Sequence, residues 1–215
     1  MNSHLNYLIR AAAVAAAIEI SAGVAGAQIL DFLTPPAVPA ELQVPEGNAP
    51  FLKVNATGSQ NYLCLLSTSG TTAGKYTWKF IGPQATLFMP VKWIGGDIPV
   101  QVGTHFLSYN PAEDLGRPTW QSSLDTSAVW GKQLASSTDS RFVEAGAIPW
   151  LLLQVVRSKR GPSGGDILAQ ATYIHRIKTS GGAAPAAVCS ETENNGVTMF
   201  VPYTADYVFY RGSRR

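Results

Sequence analysis

From residue 51 onward the chain is written in short apolar or alternating runs cut by Gly, Pro, Ser and Asn signals. No window of helical period with caps extends beyond a dozen residues there. A period of two between frequent turns is the pattern of half-buried antiparallel strands. Composition agrees where it bears on this point: 20 Gly and 14 Pro against 14% charged residues make a turn-rich, helix-poor chain. The fold class predicted is all-β, an antiparallel β-sandwich, jelly roll or barrel of about ten strands.

The expected strands begin with Phe51–Val54 and Gln60–Leu66, split by Thr57-Gly58-Ser59. Tyr76–Ile81 and Ala85–Phe88 follow, split by Gly82-Pro83, then Ile98–Phe106 and Ala128–Ala135. Ile148–Val156 is the longest apolar run of the folded region and reads as a strand buried on both faces, with Pro149 at its entry. Ser158–Gly165 reads as an exposed hairpin loop returning into Asp166–Lys178, which sets Ala169, Ala171, Tyr173, His175 and Ile177 on one face. Val197–Val201 and Tyr207–Tyr210 close the domain.

The first 27 residues read as an address. Arg10 precedes an Ala-rich apolar centre, and Ala25-Gly26-Ala27 supplies a small-residue cleavage site before Gln28, the parts of a secretory signal peptide. Glu19 interrupts the apolar centre, and an uncleaved membrane anchor is the alternative, although the segment is marginal against the ~20 apolar residues of a span. Residues 28–50 form a Pro-rich lead, laid over the domain or tethering it, and residues 51–215 a single secreted β domain. The expected location is extracellular or periplasmic. After cleavage the chain is a monomer with no membrane segment.

Cleavage after Ala27 leaves fifteen basic and thirteen acidic residues, a net charge of +2. That balance gives no case for nucleic acid, which calls for clustered Lys and Arg. Cys64 and Cys189 are the only cysteines, and in an oxidising compartment two thiols predict one disulfide. A redox pair would favour a C-x-x-C spacing, which is absent. Asn55-Ala56-Thr57 is a glycosylation sequon if the secretory route is eukaryotic.

Chemistry-bearing motifs are sparse. Gly161-Pro162-Ser163-Gly164-Gly165 matches the G-x-S-x-G nucleophile elbow in letters, but a polar spacer and a β-like segment flank it instead of a strand and a helix. Gly70–Tyr76 echoes a phosphate loop one residue short. His105 and His175 are too few for a three-histidine zinc site, so no metal and no cofactor are predicted. A glycosidase would use two of Glu113, Asp114, Asp125, Asp139 and Glu144, all in turn-like stretches. Trp78 and Trp150 read as core, whereas Trp93 and Trp120, near loops, could stack on flat ligands.

Taken together the blocks carry a resemblance. Ala56-x-Gly58-x-Gln60-x-Tyr62-x-Cys64, Pro83-x-Ala85-x-Leu87-Phe88, Gly103-Thr104-His105-Phe106 and Pro118-Thr119-Trp120 stand in that order. Asp125-x-Ser127-x-Val129-x-Gly131, Ile148–Leu153, Tyr173-Ile174-x-Arg176, Thr179-x-Gly181-Gly182-x-Ala184-Pro185 and Val201–Tyr210 follow. From about Val38 to Tyr210 the chain resembles the secreted "domain of unknown function 3455" family of fungi and bacteria. The resemblance implies an extracellular β-rich domain with the Cys64 and Cys189 positions, and no reaction. The chain departs from the family in a longer spacer over Leu107–Gly116, in Thr126, and in His175 at a position commonly Gln.

The function expected is a non-catalytic binding or structural role at or outside the cell surface, toward a glycan or cell-wall component. The candidate ligand site is Thr104, His105, Trp120 and Asp125, with His105 bonding or titrating and Trp120 stacking. The alternative is an extracellular carbohydrate-active hydrolase or lyase using His105 with a carboxylate.

Overall fold

A computed structural model describes residue 34, residues 37–110 and residues 115–213. The expected signal peptide, and with it Glu113 and Asp114, lies outside the described residues. The rest is all-β: β1 (Asn48–Leu66), β2 (Tyr76–Trp93), β3 (Gly96–Asn110), β4 (Leu115–Ser122), β5 (Ala128–Ser137), β6 (Trp150–Lys159), β7 (Tyr173–Gly181) and β8 (Thr198–Gly212). Each strand pairs antiparallel with the next, and β8 pairs back onto β1 from Asn48↔Gly212 to Leu63↔Thr198, so the sheet closes into a barrel.

Eight strands therefore replace the ten expected. Three pairs of runs fuse into β1, β2 and β8, and β4 was not foreseen. Gly58 shows why a turn signal misled. A Cβ there would stand 2.1 Å from the Gln84 carbonyl oxygen and 2.5 Å from Ala85 Cα, so this glycine lets two strand backbones meet closely rather than breaking the strand. β4 carries Gly116, Arg117 and Pro118, residues that read as loop although the segment ladders with β3 from Gly103↔Ser122 to Asn110↔Leu115. The expected strand over Asp166–Lys178 starts late, since residues 167–170 form turns before β7.

Closure sorts each strand into an inner and an outer face, because side chains alternate with a period of two. Val54, Ala56, Leu87, Trp120, Val129, Leu153, Ile174, Tyr207 and Phe209 belong to the inner core. A second cluster lies outside β6–β8, where Trp150, Leu152, Ile177, Val208 and Tyr210 pack with Leu42 and Val143. The lead covers that flank: a single 3-10 turn, Ala40–Leu42, buries Leu42 completely. His175 Nε2 donates to the Leu42 carbonyl at 2.7 Å, and the Tyr210 hydroxyl donates to His175 Nδ1 at 3.0 Å. His175 and Ile177 thus face this outer cluster, and the alternate set, Ile174 and Arg176, faces the barrel interior. Trp150 is core, as expected, but in this outer cluster, and Trp78 is only half-buried, its Nε1 donating to the Ala187 carbonyl at 2.9 Å.

A disulfide joins Cys64 to Cys189. It holds the β7–β8 loop to the end of β1, where Cys64 and Val197 also share a backbone hydrogen bond of 3.0 Å. No helix among the described residues is long and apolar enough to cross a membrane.

The close approach at Gly58 is testable. Gly58→Ala is expected to lower stability by about 1–3 kcal/mol, the range for overpacking. Gly212→Ala, where a Cβ meets nothing within 4 Å, is expected to stay within about 0.5 kcal/mol of the parent. Urea unfolding midpoints of the two variants decide; equal midpoints would show that the β1–β2 backbones can separate freely.

Candidate functional site in the barrel mouth

One end of the barrel interior holds a cavity of about 270 Å³. Six strands supply most of its polar groups, Gln60 from β1, His105 from β3, Trp120 from β4, Gln133 from β5, Arg176 from β7 and Tyr207 from β8, and β2 and β6 add Phe80, Pro83, Leu151 and Leu153 to its wall. The rest of the lining is aromatic, prolyl or aliphatic, including Ile148 and Pro149 from the loop before β6. That loop is pinned along the rim. Thr179 Oγ1 donates to the Ile148 carbonyl at 2.6 Å, the Ile148 N–H to the Gly181 carbonyl at 2.9 Å, and Arg176 Nε and Nη2 to the Pro149 carbonyl at 3.2 and 2.9 Å.

His105 and Trp120 are brought together. Their rings stack with centroids 4.3 Å apart and planes 12° off parallel, while Tyr207 meets both edge-on at 5.1 and 5.4 Å. Gly131 makes room for the indole, since a Cβ there would stand 2.9 Å from Trp120 Cζ3. The imidazole therefore covers one face of Trp120, a face that the sequence reading offered to a sugar. His105 Nδ1–H donates to the Thr119 carbonyl at 2.9 Å, which leaves Nε2 as the ring's acceptor. Burial pushes the His105 pKa down to about 3, against the opposing effect of the Thr119 bond and with the help of the Arg176 charge. The ring is neutral at any physiological pH.

The other two candidate residues stand elsewhere. Thr104 faces outward from β3 and borders a shallow polar groove with Thr57, Ser59 and Thr86. Asp125 sits in the β4–β5 turn, where it accepts from the Ser127 hydroxyl at 2.7 Å, the Ser127 N–H at 3.0 Å and the Ile167 N–H at 2.8 Å. Burial pulls its pKa upward, but these bonds and Ser122 outweigh that and hold it below the ordinary value. It fastens the β6–β7 loop.

No carboxylate lines the cavity or bonds to His105 among the described residues, so the acid–base pair of a glycosidase is not assembled there. Asp139 pairs with Arg141 on the surface, and Glu144 is exposed. Among the described residues no three His, Cys, Asp or Glu side chains gather as metal ligands. Gly161–Gly165 forms a tight turn closed by a Gly161 N–H to Gly165 carbonyl bond of 2.8 Å, with no helix after it. Trp93 stands exposed at the β2–β3 hairpin tip, away from the cavity. Asn55 is exposed on β1, its Nδ2 donating to Asp206 at 2.6 Å.

Sequence reasoning missed Gln60, Arg176 and Tyr207. The signal for Arg176 was its place two residues after Ile174 in an apolar strand, a cation at an inward position.

Residues 45–211 match the family described as Protein of unknown function (DUF3455). The chain belongs to that family. No curated protein and no solved structure matches the chain. The matched span takes in every residue that lines the cavity, so the site is built entirely from the family domain.

Burial lowers the pKa of both described histidines, that of His175 against the effect of its bond to Leu42. An unfolded chain takes up protons on them below about pH 6.5, whereas the folded chain keeps His105 unprotonated down to about pH 3 and disfavours the proton on His175. The unfolded state then binds more protons, so stability falls as pH drops through this range. From pH 7.5 to 5, where carboxylates scarcely titrate, His105 alone is expected to cost about 2 kcal/mol, with a further loss from His175. Urea titrations across that range measure it. The His105→Gln variant is expected to show a shallower slope, and an unchanged slope would mean that the ring protonates within the fold.

Proposed function

We propose that this is a secreted, non-catalytic barrel that binds a small organic molecule in its mouth cavity. The observation that carries the reading is the cavity itself: about 270 Å³ of space in the interior of an eight-stranded barrel, bounded by an apolar wall with a few convergent polar groups. Barrels of this strand number can hold one small ligand, and ligand sites have this mixed lining. Its size is just under the roughly 300–1,000 Å³ of sites for drug-sized ligands, which favours a body of one or two rings. Trp120 Nε1 and Gln60 Nε2 are buried and have no hydrogen-bond partner among the described residues. Gln60 comes near the Tyr203 hydroxyl and eases its ionisation, but not at bonding geometry. An unmet buried donor costs about 1–3 kcal/mol, and a ligand acceptor would relieve it.

Secretion is supported by the Ala-rich leader ending at Ala27 and by the Cys64–Cys189 bridge, which suits an oxidising compartment. A glycan or cell-wall fragment is a candidate only if one ring fits the mouth, since the Trp120 face is occupied by His105.

The test is a binding screen of one- and two-ring organic molecules and short cell-wall oligosaccharides, read by the ¹⁵N–¹H signal of the Trp120 indole. A ligand of the cavity is expected to shift that signal saturably. Gln133→Trp, at an exposed rim position, is expected to weaken binding at least tenfold without lowering the thermal midpoint. If no compound moves the Trp120 signal, or if plugging the rim leaves binding intact, the reading is wrong.

A further inference from the structure

Arg176 is the one charged side chain that lines the cavity among the described residues. It stands on the inner face of β7, opposite Tyr207 of β8 and Leu151 of β6 in the ladders. No carboxylate pairs with it among the described residues; the ion pairs of the barrel wall, Lys53 and Lys178 with Asp206, lie on the outer face. Two of its donors bind the Pro149 carbonyl, which fixes the guanidinium plane. The Tyr207 hydroxyl also draws on Arg176, so at least two of the five N–H groups that a guanidinium carries remain for another acceptor. A cation at an apolar wall is poorly solvated, and its favourable partner is an anion that can use the planar fork.

No other group in the lining cancels that charge. Trp120 and Gln60 bring unpartnered donors, and Tyr62 spends its hydroxyl proton on the Gly182 carbonyl at 2.8 Å. The Arg176 charge acts on Tyr62, His105, Tyr203 and Tyr207 alike, in each case favouring the more negative form. The cavity therefore carries one positive charge and two unmet donors beside the acceptors His105 Nε2 and the Tyr62 oxygen, with no acidic group to repel an anion. Phosphate or sulfate would satisfy the charge but leave the Pro, Leu, Ile and aromatic wall without a partner. A neutral polyhydroxylated sugar would leave the Arg176 charge without a counter-ion. What meets both halves of the lining is one carboxylate on a compact apolar body.

Building on the cavity reading above, we infer that the ligand is a small aromatic or alicyclic carboxylic acid bound as its anion, with the carboxylate on Arg176 and the ring against the apolar wall. Bidentate carboxylate bonds to a guanidinium are directional as well as strong. This makes Arg176 the residue that decides the class of ligand, while the wall decides its width.

The experiment uses matched probes on the full secreted chain: benzoate, cinnamate and cyclohexanecarboxylate, each beside its primary amide, titrated by calorimetry and by the Trp120 indole signal. At least one acid is expected to bind at least tenfold more tightly than its amide at pH 7. That preference is expected to vanish in Arg176→Met and to survive in part in Arg176→Lys. Because Arg176 also holds the rim loop, the comparison of acid with amide on the unaltered chain stands without any variant. Amides that bind as well as their acids, or an Arg176→Met chain that keeps the acid preference, would overturn the anion and leave the cavity site standing. If neither acids nor amides move the Trp120 signal, the inference falls, and a screen that also yields no cavity ligand takes the cavity reading with it.

Discussion

Everything in this molecule depends on the pairing of its first strand with its last. β1 and β8 are long, 19 and 15 residues, and ladder from Asn48↔Gly212 to Leu63↔Thr198. That ladder removes both sheet edges, which would otherwise leave rows of unpaired backbone groups. It also turns a sheet with two faces into a wall with an inside and an outside. Once closed, the alternation of side chains assigns each residue to one or the other without further choice. Gln60, His105, Trp120, Arg176 and Tyr207 come from five strands and meet because each falls on the inward phase of its own strand.

The outside is not simply solvent-facing. On the β6–β8 flank the lead and the loop before β6 lay Leu42 and Val143 over Trp150, Leu152 and Ile177. This double burial explains how consecutive residues in β7 carry opposite chemistry. His175, turned outward, is a neutral bridge between the Leu42 carbonyl and the Tyr210 hydroxyl. Arg176, turned inward, is a charge at the mouth of the barrel. The run of apolar residues in β6 has the same cause: Leu151 and Leu153 face the interior, Trp150 and Leu152 the outer cluster.

The all-β class was legible because alternation and turn residues are local properties. The strand count was not, because a glycine inside a strand and a glycine in a turn are the same letter. Gly58 is needed for a backbone approach to Ala85, a contact between residues distant in sequence. Half of the candidate site was legible as well: His105 and Trp120 were named from strand position and ring chemistry, and they stack. Asp125 could not be separated from them by sequence, since its partners Ser127 and Ile167 define a different corner only after β4, β5 and the 160–168 loop are in place. Arg176 was hidden by the phase of β7. Its strand was read with Tyr173, His175 and Ile177 on one face, and in a wall buried on both sides hydropathy cannot say which face is the interior. Gln60, Arg176 and Tyr207 all stand within the blocks that carry the family resemblance, yet a block records neighbours in sequence and not across a barrel.

The division of the barrel's interior follows from what each half must do. Toward one end Val54, Leu87, Val102, Ile174 and Phe209 fill the space with apolar volume and carry the hydrophobic stabilisation. Toward the other, the interior holds groups that are costly to bury: a histidine that burial keeps neutral, a guanidinium without a carboxylate among the described residues, and two donors without partners. Each would be cheaper as a leucine. A carboxylate beside Arg176 would neutralise the site from within, yet the lining contains none. Two of the unmatched buried polar groups, Gln60 Nε2 and Trp120 Nε1, line the same cavity as the Arg176 charge. That mismatch is the physical ground on which the ligand-binding proposal rests.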